Sequence, residues 1–160
     1  MTRLSHIDKE GRVRMVDVTD KRATERTARA QAVVRMSPET FDLLRDGKVP
    51  KGNVLETARI AGIMAAKQTA GLIPMCHPLN ITHVRIDFSL LPEDPAVRIE
   101  SLVRIVHQTG VEMEALTAAA VAGLTIYDMC KAMDKAMVIS DVMLLEKTGG
   151  KSGTFRRREG

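Results

Sequence analysis

Three stretches of this chain carry side chains able to move protons or hold anions. Glu112 and Glu114 open the run 110–135, GVEMEALTAAAVAGLTIYDMCKAMDK, and Asp128 and Lys131 lie near its far end. The run predicts one long helix rich in small residues, on which positions three apart share a face, so Asp128 and Lys131 are neighbours. At about 1.5 Å per residue, Glu112 and Asp128 stand roughly 24 Å apart along the axis, and Glu114 and Asp128 roughly 21 Å. No ordinary pocket spans that distance. Two functional ends therefore mean two pockets, or a site completed across a subunit contact.

Each candidate has a plainer alternative. Asp128 and Lys131 can be a helix-surface ion pair, but Ile126, Tyr127, Met129, Cys130 and Met133 around them predict partial desolvation, which tunes acids and bases. Glu112 and Glu114 can simply face the positive end of the helix dipole. Lys51 precedes a helix start beside Gly52, where backbone amides and the dipole favour a phosphate, or it is an ordinary solvated lysine. His77 sits between Pro74 and Pro78, in a constrained loop that can aim its ring for proton exchange or hold it as a structural histidine. Cys76 and Cys130 are expected to be buried and inert, and His6, His83 and His107 incidental. The segment from Lys147 through Gly149-Gly150-Lys151-Ser152 suggests a phosphate loop, but that motif requires glycine where Leu145 stands. A cationic lid or tail remains.

The elements that must position these residues follow from periodicity and turn chemistry. Residues 28–36 predict a strand, Ser37-Pro38-Glu39 a capped helix start, and Asp46-Gly47 its end. Asn53 and Glu56 have the spacing of a capping box at the head of a second helix that stops near Gly71. Val84, Ile86, Phe88 and Leu90 alternate with polar residues, a turn follows at 92–95, and Val97, Ile99, Val103 and Ile105 continue an antiparallel strand. A last strand covers 138–145. The order predicts an α+β fold, a ferredoxin-like βαββαβ two-layer sandwich with an extra helix in the first crossover. Residues 1–15 are expected to be a flexible N-terminal segment, 16–147 a single catalytic domain, and 148–160 a mobile Gly/Arg-rich tail. Ala118, Ala119, Ala120, Ala122 and Gly123 would let the long helix approach a neighbour closely.

Composition excludes several classes. At 160 residues one domain can bury an adequate core, and with no tryptophan, one tyrosine and three phenylalanines that core must be aliphatic. Two cysteines without CxxC spacing argue against a disulfide framework or zinc knuckle. The chain shows neither a signal peptide pattern nor an apolar run of membrane-spanning length, so a reduced, cytoplasmic setting is expected. The net charge of +4 owes part of its value to Arg156, Arg157 and Arg158, a group most simply solvated. An RNA-recognition module shares the element order, but residues 102–107 carry no aromatic on which bases could stack. A non-catalytic ligand sensor would need no Asp128–Lys131 pair.

Several runs together resemble a known family. Lys51-Gly52, LIPMCHPL at 72–79, TGVEMEALTA at 109–118, LTIYDMCKA at 124–132 and GGKSG at 149–153 are similar to the cyclic pyranopterin monophosphate synthases of molybdenum cofactor biosynthesis, the MoaC family, and MVDV at 15–18 and TARIAGI at 57–63 fit as well. The resemblance covers nearly the whole chain. It implies a phosphorus–oxygen lyase that converts 3′,8-cyclised dihydro-GTP, the product of a radical S-adenosylmethionine GTP cyclase, into cyclic pyranopterin monophosphate with release of pyrophosphate. It also implies a homohexamer, a trimer of dimers, with active sites at subunit interfaces. Asp128 then looks like the catalytic acid/base, with Lys131 and Lys51 essential beside it and His77 as a further proton carrier. Met75, Cys76, His77, Met113 and Glu114 look like the substrate-binding segments, and Glu112, Arg26 and Lys147 like further pocket residues. Neither a cofactor nor a protein-held metal is expected, apart from Mg2+ carried in by the triphosphate.

Overall fold

Strands form where apolar and polar residues alternate, and their apolar faces select one side of a single sheet. The computed structural model describes residues 6–158; expectations for residues 1–5 and 159–160 lie outside the described residues. In chain order the elements are β1 (Thr24–Arg35), α1 (Pro38–Arg45), α2 (Val54–Leu72), β2 (His83–Leu91), β3 (Ala96–His107), α3 (Glu112–Cys130), β4 (Val138–Thr148) and β5 (Phe155–Arg156). The sheet order is β2-β3-β1-β4-β5, every pairing antiparallel. Its first four strands have the ferredoxin-like arrangement, and α1 is the extra helix of the first crossover. The short fifth strand was not foreseen from the sequence: after β4 the chain turns back and Phe155 pairs with Lys147. Among the described residues no helix is long and apolar enough to cross a membrane.

The core lies between the sheet and the helix layer. Ala28, Ala30, Ala32 and Val34 of β1 and Val97, Ile99, Val103 and Ile105 of β3 supply the sheet side, and Ala115, Ala118, Ala119, Ala122 and Ile126 of α3 the helix side. Ser101, buried on β3, donates to the Ala115 carbonyl at 2.6 Å, so a hydroxyl sits in this aliphatic layer without an unmet hydrogen bond. Small residues set the spacing. Gly123 of α3 lies over Val34, Ile99 and Ile139, and Gly62 of α2 lies against the Ala118 carbonyl and Ile86. The alanine and glycine positions expected to admit a close neighbour are thus used largely inside the chain, against α2 and the sheet.

Local capping follows the sequence. Ser37 accepts from the Thr40 amide with Pro38 in the first turn, and the Asn53 side chain accepts from the Glu56 amide. The long helix is shorter than residues 110–135 suggest. It ends at Cys130 because the Asp134 carboxylate is drawn away, accepting from the Ser37 amide at 2.8 Å and the Ala136 amide at 3.0 Å. Side chain to backbone bonding of this kind competes with continued helix.

A Cβ at Gly62 would meet the Ala118 carbonyl oxygen at 2.9 Å as well as the Ile86 side chain. Gly62→Val should therefore push α2 off α3 and lower stability by about 1–3 kcal/mol. The midpoint of urea unfolding checks this, and an unchanged midpoint would contradict the packing described.

Candidate functional site

The C-terminal end of α3 gathers one acid and two lysines. Lys131 follows the last helical residue and donates to Asp128 Oδ1 at 2.6 Å. Lys51, distant in sequence, arrives on the turn before α2; its Nζ donates to the Asp128 carbonyl at 2.9 Å and lies 3.5 Å from Asp128 Oδ2. Gly52 completes that turn at φ 109°, a conformation a side chain would strain. Cations suit this end of the helix because its free carbonyls carry the negative end of the dipole.

Partial desolvation was expected for Asp128 and Lys131 and is not found within one chain. Their side chains are 58% and 50% exposed, and Lys51 is 46% exposed. The apolar neighbours in sequence, Ile126, Met129 and Cys130, point into the core, whereas Asp128 projects from the opposite side of the helix. The hydrogen bond from Lys131, its charge, and the charge of Lys51 hold the Asp128 carboxyl below the ordinary carboxylate range. Asp128 in turn raises Lys131. The resting cluster is an ionised carboxylate between two ammonium groups. It can bind an anion through the lysines' remaining N–H donors and can accept a proton once a ligand displaces one lysine.

The N-terminal end of α3 has the opposite character. A cavity of about 340 Å³ is walled by Met75, Cys76 and His77 on one side and by Glu112, Met113 and Glu114 on the other. Glu114 is only 4% exposed, and burial pushes its carboxyl up to about 7. Its own backbone amide, which opposes the rise, is outweighed, and the Glu112 charge adds to it. The residue before the helix, Val111, offers no side-chain cap. The Glu112 carboxylate folds over Gly110, where a Cβ would collide with it. Burial and the nearby Glu114 raise the Cys76 thiol, and burial raises Cys130, so neither is an activated nucleophile. Cys130 is buried as expected, whereas Cys76, on the cavity wall, is only half-buried. His77 Nε2 lies 2.7 Å from the Val16 carbonyl oxygen.

Arg26 lies beside this second end, whereas Lys147 lies on β4 and is not among the residues lining the cavity. Arg26 donates to the Gln108 carbonyl at 3.0 Å, beside the turn into α3. Gly149 and Gly150, at φ 89° and 80°, close over its guanidinium, leaving no room for side chains. Lys147 pairs in register with Ala28 and donates to Ser152 Oγ. The structure thus joins Lys51, Asp128 and Lys131 at one end, and Met75, Cys76, His77, Glu112, Met113 and Glu114 at the other, with Arg26 beside the second. It does not bring the two ends together within one chain. Sequence reasoning missed the contributions of His6, Val16, Val18 and Lys21 to the cavity wall. The MVDV run at 15–18 was the available signal, but it carries no group whose chemistry announces a role.

Comparison with known proteins follows the same residues. The model of the MoaC family matches residues 15–150. The chain is 57% identical over 156 residues to a protein of Desulfitobacterium hafniense, covering 98% of this chain and 95% of that one. It is 59% identical over 155 residues to proteins of Desulforapulum autotrophicum (97% of this chain, 95% of that one) and Desulfatibacillum aliphaticivorans (97% and 98%). All three relatives are named cyclic pyranopterin monophosphate synthase.

Glu114 gives the fold a specific pH dependence. Its carboxyl is raised from an ordinary 4.5 to about 7, so between those values the folded chain binds more protons than the unfolded chain. Stability from this group is fully present below 4.5, falls as pH rises toward 7, and levels off above. Thermal midpoints of wild type relative to Glu114→Gln should decline across that window. A constant difference would mean that Glu114 titrates normally.

Proposed function

The chain belongs to the MoaC family, and on that premise we propose that it converts 3′,8-cyclised dihydro-GTP to cyclic pyranopterin monophosphate with release of pyrophosphate, a lyase step early in molybdenum cofactor biosynthesis. The observation that carries the reading is the meeting of Lys51, Asp128 and Lys131 from separate segments at one helix end. The two ammonium groups suit the triphosphate, and the carboxylate suits the proton transfers that remodel a purine-derived ring. Closing the cyclic phosphate makes a ribose-derived oxygen the new substituent on the α-phosphorus while pyrophosphate departs. Lysine N–H groups aimed at the departing oxygens stabilise that developing charge.

The other end of α3 suits the ring. Glu112 and Glu114 can accept hydrogen bonds from the N–H groups of a guanine-derived edge, and Met75 and Met113 offer polarisable faces to it. His77 is a proton carrier at the same wall. Arg26 and Lys147 add cationic charge nearby. At about 1.5 Å per residue, roughly 24 Å of helix separates the two ends, too far for one substrate to touch both on one chain. We therefore assign a complete site to the contact of two chains in a homohexamer, a trimer of dimers, one supplying Asp128 and its lysines and the other the 75–77 and 112–114 wall. The exposure of the Asp128 cluster and of Ile60, Met64 and Leu124 on the helix layer is consistent with surfaces that a neighbour covers. The substrate would come from a radical S-adenosylmethionine GTP cyclase in the same reducing, cytoplasmic compartment, in keeping with two unpaired cysteines. No resident metal or cofactor enters this scheme; Mg2+ would travel with the triphosphate.

Lys51→Ala and Lys131→Ala should each leave a folded, assembled protein whose rate of pyrophosphate release from the cyclised substrate falls by about 100-fold or more. Near-normal turnover in either would remove Lys51 or Lys131 from the catalytic set. Co-assembling Glu112→Ala chains with Asp128→Ala chains should recover part of the activity that each lacks alone, because some contacts then hold both intact halves. Mixed assemblies, verified by mass spectrometry, that stay inactive would rule against a shared site.

A further inference from the structure

Residues 16–21 form neither strand nor helix, yet they close the cavity at the N-terminal end of α3. Val16 and Val18 are half-buried against it while Met15, Asp17 and Thr19 between and around them are exposed, an inward–outward alternation over a short extended stretch. Asp17 then bends the chain by accepting from the Thr19 amide at 2.9 Å and from Thr19 Oγ1 at 2.7 Å. The Lys21 amide donates to the Val18 carbonyl at 3.0 Å, and this turn brings the lysine to the cavity wall.

We propose that this segment is a working part of the substrate pocket: the Val16 carbonyl holds His77 in its Nε2–H tautomer, and Lys21 supplies a cation to the substrate's phosphate groups. The proposal rests on the reading that a site shared by two chains takes a GTP-derived triphosphate, with the ring at this wall and the phosphates reaching both Lys21 and the lysines beside the other chain's Asp128. A carbonyl oxygen only accepts, so the nitrogen 2.7 Å from it must carry the hydrogen. In the neutral ring the lone pair then belongs to Nδ1, and that atom is the one able to take a proton from a ligand. Val16 acts here as a positioning residue through its backbone. The case for Lys21 is one of charge. Glu112 and Glu114 line the same cavity and would repel a polyanion unless cations stand beside them; Arg26 lies next to this end but does not line the wall. Lys21 is the lysine of that wall, and among the described residues no carboxylate forms an ion pair with it. Its ammonium is thus available to a ligand.

Two measurements on the full chain test this. Imidazole 15N–1H correlation spectra, with His77 assigned through His77→Gln, should show Nε2 protonated and Nδ1 bare in the neutral ring. An Nδ1–H pattern would overturn the tautomer assignment, and this spectrum needs no substrate. Titration with GTP as a stable triphosphate probe should show Lys21→Ala binding about tenfold more weakly, about 1.4 kcal/mol, with Lys21→Arg restoring most of the loss and Lys9→Ala behaving as wild type. The KM for the cyclised substrate should rise by a similar factor with kcat less affected. Equal affinities and equal KM values for wild type and Lys21→Ala, in a protein that still converts its substrate, would remove Lys21 alone. A wild type that binds GTP but releases no pyrophosphate from the cyclised substrate would instead remove the catalytic reading and leave the Lys21 comparison standing. A wild type that does neither would remove both.

Discussion

The close seating of α3 against both α2 and the sheet is the constraint on which the rest of this molecule depends. Gly62 and Gly123, with alanines at 115, 118, 119 and 122, let backbones approach where larger side chains would hold them apart. Interiors packed this tightly tolerate little added volume. Because α3 is fixed along its length, so are the positions of its two ends. Every candidate functional group lies at one end or the other, or on a segment docked against one.

Those ends differ in electrostatics in a way that suits division of labour. Asp128 is exposed and flanked by Lys51 and Lys131, and stays ionised below the usual range. Glu114, on the same helix, is buried beside another acid and rises to about 7, so near neutral pH it can donate or accept a proton. Proximity to the helix N-terminus and to its own amide favours the charged form, yet burial wins. Two carboxylates whose environments push their proton affinities apart are a recurring arrangement in sites that need both an anion and a proton donor. Here the separation comes from burial at one end and lysines at the other.

Much of the fold was legible from periodicity and capping. The alternation of residues 84–90, the Ser37-Pro38 start and the Asn53 cap each express a local rule whose partners lie within a few residues, and each element formed where those rules put it. Two of the departures arose where distant groups intervened. The long helix stops early because Asp134 is recruited by Ser37, far away in sequence. The fifth strand exists because the edge of β4 was free to pair with Phe155 and Arg156. Asp128 is exposed although its sequence neighbours are apolar, since adjacent helix positions face different directions.

The sequence by itself determined the residue types able to do the chemistry, the order of the elements, and the separation of Glu112 from Asp128 along one rigid helix. These depend on local geometry: rise per residue, side-chain period and capping. Only the tertiary structure decided that Lys51 meets Asp128, that Glu114 is buried while Asp128 is not, and that Val16 and Lys21 join His77 at one cavity. Each of those contacts joins residues brought together by the packing of the helix layer on the sheet, and burial is a property of that packing rather than of any stretch of chain.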